Sequence, residues 1–270
     1  LSMRLALKGL GTPTALVIPA CCWTIIPGPW PFTAMEVPVF QTAFETTGAT
    51  ISGVKAGYRR RGRDDVCVVG WAGDGGTYDI GIQALSGAAE RNEDVIYVCY
   101  DNEAYMNTGV QRSGGTPYGA WTTTTPGTAV KVEPKKDIDE IMIAHRIPYV
   151  GTATAAYPQD LIAKFKKARS IRGMRFIRLL SACPAGWRTP DNLSVEVMRK
   201  AVQSNLFPLF EVENGSVFRQ TVVPDAVIPV AEYLRMQGRF KQMGDGAVRQ
   251  CQEEVDGRFE RFRARFEAMA

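Results

Sequence analysis

The chain contains a single histidine, His145, among its 270 residues. A lone histidine can still act as a general base. His145, however, stands where a predicted helix passes into a predicted strand, far in sequence from the polar cluster described below. We therefore expect a structural role for His145 and chemistry that rests on other residue types.

A cysteine motif is also missing: the six cysteines form no CxxC pair and no regularly spaced framework. This pattern excludes a secreted disulfide scaffold and indicates a reducing, cytoplasmic compartment. Cys67 and Cys99 fall inside short apolar runs, which is typical of inert core residues. Cys22 and Cys183 instead follow predicted strands.

The sequence has no long hydrophobic run. Residues 15–26 are apolar, but Pro19 interrupts them and they are too short to span a bilayer, so no membrane-spanning helix is expected. Residues 1–10 read as part of a helix without a cleavage pattern after it, which excludes a secretory signal. Because the chain starts at Leu1 without a methionine, we expect the natural chain to begin earlier.

A large excess of charge of one sign is lacking too. The net charge of +4 is small for this length. No basic stripe with interleaved aromatic residues is present, so a nucleic-acid partner is not expected. Arg59, Arg60, Arg61 and Arg63 form a basic run, which suits a solvated helix C-terminus.

The most informative stretch runs over residues 66–115. Residues 66–69 and 95–98 are short β-branched runs, each long enough for a buried parallel strand but not for a helix. Between them lie a glycine-rich turn and residues 78–91, with apolar residues at helical spacing. This order predicts a strand, a turn, a helix and a strand, which together form one βαβ unit.

Asp74 and Asn102 each follow one of these two strands, at the sheet edge where such folds bind ligands. Two oxygen-bearing side chains beside Gly73, Gly75 and Gly76 suit a hard divalent cation that also holds a diphosphate. Asn102 comes 29 residues after Gly73, and Gly-Asp-Gly with an asparagine at that distance resembles the thiamine diphosphate motif. The flanking strands and helix favour this cofactor site over a simple turn.

The rest of the first two thirds of the chain alternates helices and strands. Helices are predicted at residues 2–10, 39–58, 138–144 and 161–168, and strands at residues 15–19, 149–152 and 174–180. The alternation predicts an α/β fold with a mostly parallel sheet flanked by helices. The helix over residues 39–58 is expected to bury one face, formed by Phe40, Phe44, Thr47, Ile51, Val54 and Tyr58.

The pattern changes after Trp187. Helices are predicted at residues 195–204, 230–240 and 247–269, and a β-hairpin at residues 206–219 with Asn214-Gly215 as its turn. We therefore divide the chain into an α/β domain at residues 1–188 and a helical C-terminal extension at residues 189–270. This extension is expected to wrap a partner surface, with a peripheral cap on the same domain as the alternative.

Residues 102–127 show no apolar periodicity and form a longer connection than compact domains usually contain. Few lysines or glutamates occur there, while Tyr105, Tyr118 and Trp121 do. We therefore expect an ordered active-site loop.

Residues 100–126, YDNEAYMNTGVQRSGGTPYGAWTTTTP, resemble the beta subunit of the 2-oxoacid:ferredoxin oxidoreductases of the pyruvate synthase group. The resemblance extends over residues 144–162, 182–187 and 232–241. It implies a thiamine diphosphate-binding fold of the diphosphate-binding type, with this chain carrying half of the cofactor site.

The resemblance implies roles for individual residues. Asp74, the Asn102 side chain and the Ala104 carbonyl would bind Mg²⁺, with Gly73, Gly75 and Gly76 beside the diphosphate. Asn107 would reach the reacting substrate and Thr108 would shape the same wall.

The family also holds a [4Fe–4S] cluster on four cysteine thiolates. Cys22 and Cys183 match two of its cysteines, and Cys22 is preferred to Cys21 by its distance from residues 31–34. The other two form a CxGC pair in the family, which we expect before Leu1.

The implied activity is oxidative decarboxylation of a 2-oxoacid, most often pyruvate to acetyl-CoA and carbon dioxide. Electrons would pass through the cluster to ferredoxin, and coenzyme A would accept the acyl group. Partner subunits would complete the site, including the glutamate that touches the cofactor's aminopyrimidine. Glu103 is expected to orient the loop, and Arg112 to bind a substrate carboxylate or phosphate, or to pair with a neighbouring subunit.

The sequence is also consistent with three alternatives to this substrate and activity. The acid could differ from pyruvate, for example oxalate, because Cys21-Cys22-Trp23 departs from the usual composition beside that cysteine. The chain could instead be half of a non-oxidative thiamine-dependent decarboxylase or synthase, although such enzymes need no cluster. It could also be a subunit of the same fold that only binds a partner.

Overall fold

A computed structural model describes residues 1–29 and 31–267, and its centre is one eight-stranded sheet. In chain order the strands are β1 (Thr14–Pro19), β2 (Val39–Thr42), β3 (Cys67–Gly73), β4 (Ile96–Asp101), β5 (Tyr149–Thr154), β6 (Arg175–Leu180), β7 (Leu209–Glu213) and β8 (Val217–Val222). Their order across the sheet is β2-β1-β3-β4-β6-β5-β7-β8. The first six strands are parallel, and β7 and β8 add an antiparallel hairpin beside β5. The prediction of a mostly parallel α/β sheet is confirmed.

Helices cover both faces of this sheet. They are α1 (Ser2–Leu10), α2 (Cys22–Ile25), α3 (Thr47–Arg60), α4 (Ile82–Glu90), α5 (Ile138–Ala144), α6 (Pro158–Ser170), α7 (Pro184–Trp187), α8 (Ser194–Gln203), α9 (Val230–Arg235) and α10 (Asp245–Glu267). One face packs on α1 and α6 through residues such as Leu10 and Phe165. The opposite face packs on α3, α4 and α5 through residues such as Ile51, Leu85 and Met142. The parallel strands other than β2 are buried on both faces, as their near-continuous apolar runs require.

The predicted helix over residues 39–58 is wrong over residues 39–46. Val39–Thr42 forms the edge strand β2, which pairs with β1, and the helix begins only at Thr47. Val39 and Phe40 favour an extended chain, and pairing with β1 decides the outcome. Ile51 lies in the core, whereas Phe40 is 55% exposed on the outer edge of the sheet.

The helix of the central βαβ unit differs at its start. Residues Gly75–Ile80 form a π-helical turn directly after β3, and regular α-helix follows only from Ile82. A π-helical turn inside or beside an α-helix frequently marks a functional site. The predicted helix over residues 78–91 is therefore confirmed from Ile82, with a wider first turn in front of it.

The predicted hairpin is confirmed. Asn214 and Gly215 both adopt left-handed backbone, with φ angles of 52° and 68°, within a three-residue connection that ends at Ser216. The hairpin extends the same sheet beyond β5, and Phe262 of α10 packs on Phe210 of β7 with ring centroids 4.9 Å apart.

The other C-terminal helices lie close to their predicted bounds. The predicted helix over residues 230–240 is shorter, because α9 ends at Arg235 and a single 3-10 turn, Gly238–Phe240, follows. The helix predicted for residues 247–269 corresponds to α10, and its predicted end lies outside the described residues. Across residues 1–29 and 31–267, no helix combines the length and apolar composition needed to cross a bilayer.

Candidate functional site

Four neighbouring strands carry the predicted ligands at one edge of the sheet. Cys22 follows β1, Asp74 follows β3, Asn102 follows β4 and Cys183 follows β6, and these strands are adjacent in that order. From β1 the chain moves outward to β2, and from β3 it continues in the other direction. The edge above β1 and β3 is therefore the topological switch point at which such sheets bind ligands.

A cleft of about 200 Å³ opens at this switch point. Its lining includes every predicted cofactor-binding residue: Gly73, Asp74, Gly75, Gly76, Asn102, Ala104, Asn107 and Thr108. His145 lies at the end of α5, where its Nε2 is 3.1 Å from Ser86 Oγ. The structure thus brings together the residues that the sequence pattern grouped.

Asp74 is a buried carboxylate without a basic partner. It is 1% exposed, and no ion pair joins it to a lysine or arginine of the described chain. Burial, together with the neighbouring Asp101 carboxylate, raises the pKa of Asp74 well above its usual value. An ionised carboxylate is costly to bury unless a cation pairs with it. Asp74 therefore fits a site that takes up a cation.

The Asn102 amide and the Ala104 carbonyl converge on the same point. In one amide orientation, Asn102 Oδ1 lies 2.9 Å from Asp74 Oδ1 and 3.0 Å from the Ala104 carbonyl oxygen. In the other orientation, the amide nitrogen occupies that position and donates a hydrogen bond to both oxygens. A carboxylate, an amide oxygen and a main-chain carbonyl are ligands that a hard divalent cation prefers. The donor set therefore fits Mg²⁺, with the first amide orientation for the bound state.

The loop after β4 closes over Asp74 from above. Ser113 Oγ donates a hydrogen bond of 2.5 Å to Asp74 Oδ2, and the Gly115 amide donates to Ser113 Oγ at 3.1 Å. A Cβ on Gly115 would come within 2.9 Å of Asp74 Oδ2, so only glycine allows this approach. Sequence reasoning missed Ser113, because no periodicity links this loop to a strand end 39 residues earlier.

Gly75 lies directly beneath the ring of Tyr105. A Cβ at Gly75 would come within 2.2 Å of Tyr105 Cε1. Tyr105 is held in turn by its hydroxyl, which donates to Asp79 Oδ2 at 2.7 Å, and the same oxygen accepts from the Gly114 amide at 2.9 Å. The glycine turn, the π-helical turn and the loop are thereby locked together.

We expect Gly75→Ala to lower the free energy of unfolding by about 1–3 kcal/mol, because the added methyl group must displace the Tyr105 ring. Urea denaturation of the purified chain measures this change. Gly53→Ala is the matched control, because a Cβ at this exposed position of α3 meets nothing within 4 Å. Alanine is the better helix former, so that variant is expected to gain up to about 1 kcal/mol. Equal stabilities of the two variants would contradict the close packing of Gly75.

The three residues predicted to be catalytic separate into two groups. Asn107 and Thr108 line the cleft and are exposed, and Thr108 Oγ1 donates to Gln111 Oε1 at 2.6 Å. Arg112 is exposed on the far side of the same loop, where its guanidinium lies 3.2 Å from Glu133 Oε2. Asn107 and Thr108 are therefore placed to meet a substrate, whereas Arg112 is paired within its own chain.

The two predicted cluster cysteines lie at neighbouring positions beside this cleft. Cys22 lines the cleft, and its Sγ is 3.7 Å from Asn102 Nδ2. Burial raises the pKa of the Cys22 thiol, and the nearby Cys183 adds to this effect. Burial also raises the pKa of its neighbour Cys21, to about 11. In the described part of the chain, no group of three or more His, Cys, Asp or Glu side chains is gathered for a metal ion.

The chain matches a known family over more than half of its length. Residues 31–179 match the family described as "Thiamine pyrophosphate enzyme, C-terminal TPP binding domain". The matched region runs from the loop before β2 to β6, and it contains Asp74, Asn102 and the loop after β4. The fold is therefore a thiamine diphosphate-binding α/β domain.

Two relatives are similar over nearly the whole chain. Ketoisovalerate oxidoreductase subunit VorB of Pyrococcus furiosus is 53% identical over 97% of this chain and 88% of that protein. Pyruvate synthase subunit PorB of Methanothermobacter marburgensis is 48% identical over 94% of this chain and 89% of that protein.

A solved structure shares the fold. It is that of the 2-oxoglutarate:ferredoxin oxidoreductase from Magnetococcus marinus, with 2-oxoglutarate, coenzyme A and succinyl-CoA bound. It superposes with a TM-score of 0.59 at 24% identity, over 73% of this chain and 72% of that one.

Proposed function

The chain belongs to the beta subunits of the 2-oxoacid:ferredoxin oxidoreductases, which are thiamine diphosphate-dependent enzymes of several subunits. From that membership we propose that it holds the diphosphate and Mg²⁺ end of the cofactor in an enzyme that oxidatively decarboxylates an aliphatic 2-oxoacid. The convergence of Asp74, Asn102 and the Ala104 carbonyl carries this proposal. The buried Asp74 carboxyl group, with which no lysine or arginine of residues 1–29 and 31–267 forms an ion pair, gives that point its affinity for a cation.

Each part of the cleft has a role in this proposal. Asp74, Asn102 and Ala104 would hold Mg²⁺, and the backbone at Gly73, Gly75 and Gly76 would bind the diphosphate, where side chains would prevent close approach. Thiamine diphosphate, when bound, supplies the carbanion stabilisation that decarboxylation needs. Asn107 and Thr108 orient the 2-oxoacid at the mouth of the cleft. We assign Arg112 to holding the loop, because it is paired with Glu133.

We further propose that Cys22 and Cys183 supply two ligands of a [4Fe–4S] cluster beside the cofactor. Both residues follow strands that flank the Mg²⁺ ligands, so a cluster there would lie next to the reacting atoms. Four thiolates hold such a cluster, so this proposal requires two further ligands beyond Cys22 and Cys183. The cluster would pass electrons one at a time to ferredoxin.

A branched-chain 2-oxoacid such as ketoisovalerate is our first candidate substrate, and pyruvate is the second. The family resemblance alone favoured pyruvate, because pyruvate is the commonest substrate in that group. The relative named for ketoisovalerate is 53% identical, compared with 48% for the relative named for pyruvate. Phe44, Tyr100 and Met106 line the cleft and offer apolar surface to an aliphatic side chain. We propose coenzyme A as the acyl acceptor.

The test is a substrate panel on the complex, purified without oxygen together with its partner subunits. Ketoisovalerate, pyruvate, 2-oxoglutarate and oxalate are each added with coenzyme A, and reduction of ferredoxin or a viologen dye is followed. We expect the highest kcat/KM with ketoisovalerate, followed by pyruvate, and dependence of turnover on coenzyme A.

Two outcomes would contradict the proposal in different ways. A higher kcat/KM with pyruvate would overturn the substrate assignment and leave the reaction type intact. Release of carbon dioxide and aldehyde without any reduction of the electron acceptor would instead indicate a non-oxidative decarboxylase.

A further inference from the structure

Glu103 connects two of the cation-binding residues and has unusual backbone geometry. It stands between Asn102 and Ala104, and its φ angle is 70°, in the left-handed region that non-glycine residues seldom occupy. Such a conformation persists only where the surroundings enforce it. This local backbone direction sets where the Asn102 side chain and the Ala104 carbonyl point.

The Glu103 side chain is held by two cations in the interior. It is 1% exposed, its Oε1 accepts from Lys135 Nζ at 2.8 Å, and its Oε2 accepts from Arg239 Nη2 at 2.5 Å. Lys135 also reaches Asp101 Oδ2 at 2.7 Å. The Glu103 carbonyl accepts from Thr116 Oγ1 at 2.8 Å. These contacts fix both the carboxylate and the main chain of the turn.

Arg239 is itself held in place by the Gln237 side chain and the Trp187 ring. It is 2% exposed, its Nε donates to Gln237 Oε1 at 2.9 Å, and its guanidinium lies 4.2 Å from the centre of the Trp187 ring. Trp187 Nε1 in turn donates to the Asn102 carbonyl at 2.8 Å. Arg239 therefore holds the turn at two adjacent residues. It contacts Glu103 directly, and it contacts Asn102 indirectly through Trp187.

We propose that Arg239 and Glu103 are positioning residues for the cation that the proposed function places between Asp74, Asn102 and Ala104, and the inference rests on that function. Their ion pair keeps the turn in its left-handed conformation, so that the Asn102 amide and the Ala104 carbonyl already lie beside Asp74 and only the amide group has to rotate when a cation binds. Without the pair, the turn relaxes and the ligands separate.

The test measures how cofactor retention depends on the Mg²⁺ concentration, and it does not use turnover as its readout. The assembled complex is stripped of metal and cofactor, and retention of added thiamine diphosphate is measured by gel filtration as Mg²⁺ is titrated. Residues that orient metal ligands typically contribute about 10–100-fold to metal affinity. We therefore expect Arg239→Met and Glu103→Gln each to raise the half-saturating Mg²⁺ concentration by that factor. Arg239→Lys should restore part of the loss, because it keeps the charge but not the planar stack on Trp187.

Arg175→Met is the matched control. Arg175 forms a comparably buried ion pair with Asp94 at 2.5 Å, at the opposite end of the strands. Its loss should lower the thermal midpoint but leave the half-saturating Mg²⁺ concentration within about twofold, as distant sites act independently. Glu103→Gln changes no volume, so it serves as a second probe where Arg239→Met folds poorly.

The Asp74→Asn variant distinguishes a failure of the positioning role from a failure of the proposed metal site. If Asp74→Asn loses Mg²⁺-dependent retention while Arg239→Met and Glu103→Gln titrate as the unchanged complex does, the positioning role is overturned and the proposed function stands. If Asp74→Asn retains the cofactor as well, the metal site itself is misassigned, and both proposals fall.

Discussion

The Asp74→Asn variant is expected to assemble with its partner subunits but to lose thiamine diphosphate on gel filtration and, with it, all 2-oxoacid-dependent reduction of ferredoxin. Removing one charge of a buried pair costs about 3–5 kcal/mol, which corresponds to more than about 100-fold in cation affinity. Cofactor content per complex, measured after gel filtration in Mg²⁺, reports this loss directly.

The same variant should also differ in its thermal stability. Asp74 is buried, no basic side chain in the described part of the chain forms an ion pair with it, and burial raises its pKa. A neutral amide of the same shape removes this cost, so the cofactor-free Asp74→Asn complex should unfold at the same temperature as the unchanged complex or higher. Glu45→Gln, at an exposed acidic residue in the turn before α3, is the control and should keep its cofactor. A lower thermal midpoint with full cofactor content would show that Asp74 is structural.

The Cys22→Ser and Cys183→Ser variants are expected to lose the iron–sulfur cluster and to reduce ferredoxin only at background rates. A serine oxygen is a poor substitute for a thiolate at such a centre. Thiamine diphosphate should remain bound, because Asp74, Asn102 and Ala104 are unchanged. Iron and sulfide content, visible absorbance and ferredoxin reduction are measured on the same oxygen-free preparation.

Cys21 and Cys251 provide controls for the cysteine variants. Cys21→Ser changes the neighbouring cysteine, which also lines the cleft, and Cys251→Ser changes a cysteine in α10. Both variants should retain iron. Loss of iron in Cys21→Ser but not in Cys22→Ser would move the ligand by one residue. Full iron content in Cys22→Ser, Cys21→Ser and Cys183→Ser would remove the cluster assignment from this chain.

The centre of the fold was predictable because its signals are local. The β-branched runs before Asp74 and Asn102 mark buried strands, and the glycines between them leave few alternatives for the turn. A predicted strand and a polar residue at its end suffice to place each ligand at one edge of a parallel sheet. The residues grouped by this pattern, Gly73, Asp74, Gly75, Gly76 and Asn102, line one cleft, together with Ala104, Asn107 and Thr108, which the family resemblance supplied.

The features that the sequence did not reveal depend on contacts between distant residues. The helix prediction for residues 39–58 failed where pairing of Val39–Thr42 with β1 outweighed helical periodicity. The insertion of β6 between β4 and β5 leaves no mark on either strand's own pattern. Likewise, Ser113 reaches Asp74 and Arg239 reaches Glu103 across 39 and 136 residues of chain, and polar contacts of this range carry no periodic signal.

The two outer strands of the sheet differ in a way that matters for handling the protein. The outer strand β8 carries Arg219, whose side chain is 65% exposed and paired with Glu211. The outer strand β2 has no charged residue, and Val39 and Phe40 are 39% and 55% exposed. Near it in the sequence, Phe32 is 84% exposed.

Charged residues on an outer strand discourage pairing between copies, whereas an uncharged apolar outer strand invites it. In a preparation of this chain alone, aggregation would therefore begin at β2, and β8 is protected against it. Co-expression with the partner subunits, rather than refolding of the isolated chain, is the production route that this asymmetry favours.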